Sequence, residues 1–485
     1  MDELFRPLSF IRGPAMKNRF ALAPMTNKQS ADDGTASIGD ALTTSVATPA
    51  LTDKRKRRKV ARAGAVGNFI EFFDFTLYGF FAVTIAALFF PQESPTAALL
   101  STFALFGVAF FIRPVGAIVF GHIGDRIGRK RALVVAVILM SGSTTAIGAL
   151  PTYETVGILA PVMLLLCRLT QGFSAGGELT GAMVLVVEHS PVKERGRNAS
   201  WVIASIVSGV AGASLVALLV SFSMSSDQLL DWGWRIPFLI AAPLGLAGLI
   251  LRLNLEESDA YKSAVQEMDG PENARTPLAQ AFKTVKQEML TLFGWVAVQS
   301  FAGDILVGFM LTYLVTRVGY AMAEALLIIV IGHVIAIAFI PVLGRWADRV
   351  SRKCFAAALA GALAIWTLPA FLLLSRGMVA AVVAIAVYAT INYSMMTVQA
   401  FAVVELFPVD VRYTASAFPF QLAYALFGGS APFVATWLVS NVSDLTPAYA
   451  IVVLALPALW LAWSAIPNAR EMAVVSFLDT EPTDD

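Results

Sequence analysis

Five ionisable residues sit inside long apolar runs: Glu71, Asp74, Arg113, Arg168 and Glu178. A charge at the centre of a membrane-spanning helix costs roughly 2.5–3.5 kcal/mol on insertion scales, so such groups face a cavity or pair with one another. Arg168, Gln171, Ala175 and Glu178 follow helical spacing and share one face. Counted along the ~1.5 Å helical rise, Asp74 and Arg168 fall near the middle of their spans, with Glu71 and Arg113 about one turn away. Three acids against two arginines leave one surplus negative charge, and one acid is expected to hold a proton. A guanidinium fork matches a carboxylate, so Arg168 and Arg113 are the expected partners of a carboxylate ligand. Asp74 is the first candidate for a proton site, followed by Glu71 and Glu178; fixed ion pairs that only hold helices together are the alternative.

Positioning these groups requires membrane helices. Of the 485 residues, 57% are hydrophobic and only 14% charged, against about 25% charged in soluble domains. Apolar runs of spanning length recur from residue 62 to residue 466, without the alternating polarity of a β-barrel. Twelve transmembrane helices are expected, near 62–90, 97–121, 131–150, 156–189, 198–222, 235–254, 290–316, 321–344, 354–375, 377–405, 412–440 and 447–466. Lys and Arg concentrate in alternate loops, so the positive-inside rule predicts both termini cytoplasmic in a multi-pass cell-membrane protein. Residues 255–289 read as a cytoplasmic linker between a bundle over 61–254 and one over 290–466, with a tail over 467–485. Cys167 and Cys354 are expected as free thiols.

The chain repeats itself. Gly121, Asp125, Arg126, Arg129 and Lys130 recur 223 positions on as Gly344, Asp348, Arg349, Arg352 and Lys353. Glu188-x-x-Pro191-x-x-x-Arg195 recurs 217 positions on as Glu405-x-x-Pro408-x-x-x-Arg412. Parallel six-helix halves around a central cavity explain both offsets. All these turns fall on the basic side, where Asp125, Arg126, Arg129, Glu188, Arg195, Asp348, Arg349, Glu405 and Arg412 read as gating pairs that form and break as the site changes face. In the second half Asp304, Asn392 and Gln421 are cavity candidates, with Tyr393, Gln399 and Tyr424 near them. His333 reads as a hydrogen-bonded structural group, and Phe427-Gly428-Gly429-Ser430-Ala431-Pro432 as a break in the eleventh helix that serves as a hinge or as tight packing.

Gly67-Asn68-Phe69-Ile70-Glu71-Phe72-Phe73-Asp74-Phe75 with Tyr78-Gly79, Arg113-Pro114, the Gly121–Lys130 turn, Gln171-Gly172-x-x-x-Gly176-Gly177-Glu178 and Trp232-Gly233-Trp234-Arg235-Ile236-Pro237-Phe238 resemble the metabolite:proton symporter branch of the major facilitator superfamily. That branch includes proline/betaine, α-ketoglutarate, citrate and shikimate permeases. The likeness covers about residues 60–470 and departs from the family at Phe72-Phe73 and in the second turn, at Ala347 and Ser351. It implies two pseudo-symmetric six-helix bundles and proton-coupled symport of a small carboxylate or zwitterion. On that reading Arg168, Arg113, Gln171, Tyr78, Asp304, Asn392 and Gln421 line the substrate site. An exporter of the same fold is the competing reading, although paired arginines suit an anion or zwitterion better than a lipophilic cation. The long carboxyl-terminal coiled coil of many proline/betaine members has no counterpart after Arg470.

Residues 1–60 stand apart as an amino-terminal extension expected to be disordered. Leu4-Phe5-Arg6-Pro7-Leu8, Met16-Lys17-Asn18-Arg19-Phe20-Ala21-Leu22-Ala23-Pro24-Met25-Thr26 and Asp33-Gly34-Thr35 resemble the first strand of old yellow enzyme-type flavin oxidoreductases. One strand cannot build a flavin site, so neither flavin nor enzyme activity is expected. Lys54–Lys59 is a basic cluster suited to anchoring topology rather than binding nucleic acid. No metal cluster, nucleotide loop or catalytic triad is legible. The expected partners are a small substrate, protons and lipid, with no cofactor, around a functional monomer.

Overall fold

The computed structural model describes residues 54–91, 94–127, 129–176, 186–187, 190–253, 284–407 and 412–466; side chains at 54–63, 121–122, 124–130, 192, 252 and 412–414 lie outside that description. The expectations for residues 1–53, the linker core 254–283, the tail from residue 467, Glu178 and Glu188 therefore fall outside the described residues, as do those resting on the side chains of Asp125, Arg126, Arg129 and Arg412.

A backbone in hydrocarbon must satisfy its own amides, and helices do so within one segment. The spans are α1 (Gly64–Phe80 with Ala82–Phe89), α2 (Pro95–Phe120), α3 (Arg131–Ala149), α4 (Leu159–Ala175), α5 (Arg195–Ser223), α6 (Ser226–Gly233 with Arg235–Leu251), α7 (Lys286–Val318), α8 (Met322–Arg349), α9 (Arg352–Leu373), α10 (Met378–Leu406), α11 (Ala415–Asn441) and α12 (Thr446–Ser464). Among the described residues nine are each long and apolar enough to cross a bilayer alone, and eleven when each bent pair counts as one span. α4 is the shorter apolar helix. The fold is all-α, two six-helix halves in one membrane protein.

The duplication reappears in the packing. α1 packs on α5, α2 on α4 and α3 on α6; in the second half α7 packs on α11, α8 on α10 and α9 on α12. Each pair recurs six helices later. The halves meet along α5 against α8, α2 against α11 and α1 against α7.

Several spans are less regular than their apolar patterns suggest. α1 bends by 59° at Phe81 and α6 by 47° at Trp234. The expected single helix over 62–90 is thus two segments. Ahead of α4, Tyr153–Val156 forms one turn and Gly157 breaks it at φ +58°, a conformation open to glycine. α7 contains π-helical turns at Ile305–Phe309 and Leu314–Val318, and α11 contains one at Tyr424–Gly428. The break expected in α11 begins there, one residue ahead of Gly429. π-turns are rare and concentrate at functional positions; those at 305 and 424 face one another, since Gly428 lies against the Asp304 carboxylate.

Helices can cross this closely only where side chains are minimal. A Cβ on Gly107 of α2 would lie 2.7 Å from the Gly429 carbonyl oxygen of α11, and one on Gly196 of α5 would lie 2.8 Å from that of Gly344 of α8. The halves therefore touch backbone to backbone at both crossings.

Candidate functional site

α1, α2, α4, α7 and α11 bring their polar residues to the seam between the halves. Asp74 of α1 is fully buried. Its Oδ2 accepts a hydrogen bond from Ser141 Oγ of α3 at 3.0 Å, and Oδ1 has no hydrogen-bond partner. Asp74 makes no ion pair with either arginine. Glu71, one turn earlier, is also buried and lies within electrostatic reach of Arg113.

Arg168 of α4 is fully buried. Nη1 donates to Gln171 Oε1 at 2.8 Å and Nη2 to the Phe106 carbonyl at 3.2 Å, while Nε has no partner. Gln171 is fixed in turn by donating to Thr144 Oγ1 at 2.7 Å. The guanidinium lies over Tyr78 (4.2 Å) and Phe75 (4.7 Å). The Tyr78 hydroxyl donates to the Thr102 carbonyl at 3.0 Å, which leaves its ring face as the surface offered to the cation.

Arg113 opens the second segment of α2, directly after Ile112 interrupts the helix. It is 4% exposed. Its guanidinium rests on Phe75 at 4.6 Å and Phe110 at 4.5 Å; among the described residues no carboxylate pairs with it, and Nε is without a hydrogen bond. Glu71, Asp304 and Tyr424 lie within electrostatic reach of it. Two buried arginines are thus held mainly by aromatic faces, with donor capacity unspent. A buried guanidinium with unmet donors is costly unless an anion comes to it.

The second half answers with amides. Gln299 of α7 donates to Asn392 Oδ1 at 3.3 Å, accepts from Gln399 at 2.8 Å and from the Tyr424 hydroxyl at 3.1 Å, and its carbonyl accepts from Asn392 Nδ2 at 3.0 Å. Asn392 and Tyr424 are thereby tied to one hub, which the sequence did not single out. Asp304 is buried at the first π-turn with Oδ2 unpartnered. Gln421 donates to the Gly176 carbonyl at the end of α4, a link between halves, at 3.3 Å. His333 is engaged on both nitrogens, by the Ile329 carbonyl at 2.8 Å and the Tyr393 hydroxyl at 3.2 Å. Arg235, within a motif quoted for the family likeness, donates to the Gly148 and Leu150 carbonyls and closes the end of α3.

A second cluster joins the halves at the end where α5 begins. Asp348 of α8 accepts from the backbone amides of Gly196 at 2.7 Å and Arg197 at 2.8 Å. It caps the N-terminus of α5 from the opposite half, where the helix dipole favours a carboxylate. Arg195 of α5 pairs with Glu405 of α10 at 3.4 Å. Arg352 bridges Asp348 at 3.5 Å and Glu405 at 3.6 Å and lies over Phe401 at 4.6 Å. Arg349 is exposed and outside this cluster. Arg352, present in the repeat but absent from the expected gating set, is its centre.

Residues 64–432 match the Major Facilitator Superfamily. The chain is 37% identical over 418 residues to the proline/betaine transporter of Escherichia coli (strain K12), covering 84% of this chain and 82% of that protein. It is 37% identical over 417 residues to the glycine betaine/proline/ectoine/pipecolic acid transporter OusA of Dickeya dadantii, with the same coverage. Among solved structures, the partially occluded inward open conformation of the xylose transporter XylE from E. coli superposes with a TM-score of 0.69 at 16% identity, over 86% of this chain and 99% of that one; that likeness concerns the fold. The matched span, the curated relatives and the repeated helix packing agree: the chain belongs to the Major Facilitator Superfamily.

Proposed function

We propose that the protein is a proton-coupled symporter of a small zwitterion of the proline/betaine kind, working by alternating access in the cytoplasmic membrane with both termini cytoplasmic. The observation that carries the reading is the pair of buried arginines, Arg113 and Arg168, whose donors are incompletely used and which meet no carboxylate of the described protein. A substrate carboxylate entering at the seam takes up that donor capacity. The relatives, named for proline and betaine transport, support the zwitterion class.

Proton coupling follows from the charge around the arginines. Once a carboxylate occupies a guanidinium, the nearby acids lose part of their compensation, which favours protonation of one of them. Asp74 is the assigned carrier, because its Oδ1 is free to hold a proton while Ser141 keeps Oδ2 in place; Glu71 and Glu178 stand behind it. Gln171 and Tyr78 position Arg168, and Asp304, Asn392 and Gln421 form the facing wall. The Asp348, Arg352, Glu405 and Arg195 cluster closes the cytoplasmic end and opens when the site faces inward. The functional units are the halves 61–254 and 290–466 joined by 255–289, acting as a monomer without a cofactor.

The test is uptake of radiolabelled proline, glycine betaine, α-ketoglutarate, citrate and shikimate into proteoliposomes under a pH gradient. Accumulation of proline or betaine that a protonophore abolishes is the expected result. Preference for a dicarboxylate, accumulation indifferent to the protonophore, or extrusion of a lipophilic cation instead would overturn the reading.

A further inference from the structure

Arg113 occupies an unusual place for a charged side chain. Phe75 and Phe110 stand edge to face, 4.7 Å between centroids at 80°, and the guanidinium lies about equally over both rings, at 4.6 and 4.5 Å. Tyr424, from the other half, stacks on Phe110 at 6.3 Å and 11°, and its own ring packs on Phe420 at 4.9 Å. The three rings are buried. Phe75 and Phe110 form two walls of a box for a cation, and Tyr424 of the other half backs the Phe110 ring. At present an internal cation fills the box.

Aromatic faces attract any cation, and a quaternary ammonium is the kind they hold best, because it has no hydrogen bonds to lose. A guanidinium on ring faces gives up its five donors and is better placed in a fork with a carboxylate. Resting on the zwitterion reading above, we infer that the box of Phe75 and Phe110, backed by Tyr424, is the subsite for the substrate's ammonium group and that Arg113 is its internal stand-in. The substrate carboxylate draws the guanidinium out of the box, and the substrate's own cation takes its place. Charge is conserved at each position: the box keeps one cation, and the guanidinium gains one anion. A dicarboxylate leaves the box without a cation and brings a second negative charge beside Glu71 and Asp304, so it is excluded. Because Tyr424 belongs to the second half, filling the box with substrate also carries information across the seam.

The experiment uses the purified full-length protein and two probes of one shape. Glycine betaine carries a trimethylammonium; 3,3-dimethylbutanoate replaces that nitrogen by carbon and keeps the carboxylate. The advantage of betaine over the isostere, measured by competition against radiolabelled betaine, is expected to shrink progressively, by about tenfold in all, as Phe110 is replaced by mono-, di- and trifluorinated phenylalanine; the guanidinium–ring contact of the free protein drops out of that ratio. Fluorination withdraws charge from the ring face with little change of size. The carbon isostere is expected to compete at least tenfold more weakly than betaine with the native protein. Equal binding of betaine and its isostere by the native protein, or a betaine advantage that ignores fluorination of Phe110, would overturn the box. Failure of the native protein to bind betaine or proline at all would instead overturn the zwitterion reading, so the two failures are distinguishable.

Discussion

Asp348→Asn tests whether the cluster at the start of α5 acts as a latch. In the closed arrangement the Asp348 carboxylate receives two amide hydrogen bonds, from Gly196 at 2.7 Å and Arg197 at 2.8 Å. Its side chain is 9% exposed, so water competes weakly. Hydrogen bonds to a charged acceptor contribute about 1.5–3 kcal/mol each. Asparagine retains one acceptor and presents an N–H to the second amide. The substitution therefore removes roughly one such bond, together with about 0.3–1 kcal/mol of charge–dipole attraction at the helix N-terminus. Water recovers part of this when the halves separate, which leaves a bias of about 2 kcal/mol, or about 30-fold, toward the arrangement open at this end. Glu405 still holds Arg195 and Arg352, so folding is expected to survive. Cysteines at the exposed positions Lys193 and Arg345, with native Cys167 and Cys354 replaced, carry spin labels for distance measurement in nanodiscs. The long-distance population should grow by more than tenfold, and uptake should slow. An unchanged distance distribution with an unchanged uptake rate would mean that Asp348 serves topology alone.

Asp125→Asn, at the repeat-related position, is expected to slow uptake with little loss of expression; a native rate would assign that turn to topology. Asp74→Asn should keep substrate binding and exchange of internal for external substrate but lose accumulation driven by a pH gradient, whereas Arg168→Ala should abolish binding measured with radiolabelled substrate. Persistent protonophore-sensitive accumulation by Asp74→Asn would move the proton to Glu71 or Glu178. Gly107→Leu places a side chain where the Gly429 carbonyl already stands, so crosslinking between α2 and α11 should fall and transport should stop; normal crosslinking would show that this crossing yields. A chain starting at Val46 should insert and transport normally, and loss of both would reveal a role for residues 1–45.

The parts of this molecule legible in its sequence are those where chemistry contradicts surroundings. Arg113 and Arg168 stand out because a guanidinium in an apolar run demands a reason. The repeated turns stand out because Asp and Arg are rare against that background, and Asp348 and Glu405 do lie in one cluster. The aromatic box was hidden for the opposite reason: with 33 phenylalanines in the chain, Phe75 and Phe110 look like ordinary lipid-soluble filling, and nothing local says that a cation will rest on them. Gln299 was hidden because one amide in a span is a common packing element; its importance comes from α10 and α11 converging on it. The bend at Phe81 has no proline within its helix segments; it follows Gly79, which lies against the Val307 carbonyl of α7, a contact that sequence periodicity does not record. Arg195 shares a repeated motif with Glu188 in sequence, yet its described partner is Glu405, 210 residues away, a choice that only the meeting of halves could decide.

The two halves share a packing plan but divide the polar work. In the second half the hub Gln299 has each side-chain polar atom engaged, and Asn392 is bonded to it through both amide atoms. A network satisfied to this degree resists rearrangement. In the first half Arg113, Arg168 and Asp74 each keep a buried atom without a hydrogen bond, and ring faces rather than carboxylates hold the guanidiniums. Groups held by ring faces can leave them at modest cost, and groups with unmet hydrogen bonds gain most when a ligand arrives. The second half keeps unmet atoms as well, at Asp304, Gln399 and Gln421, so Gln299 is a fixed point within a seam where both halves have capacity to respond. The π-turn that carries Tyr424 sits where these two characters meet, fixed by Gln299 on one side and stacked on Phe110 on the other. On the proposed reading, a ligand that changes what Phe110 holds acts on Tyr424 directly through that stacking contact.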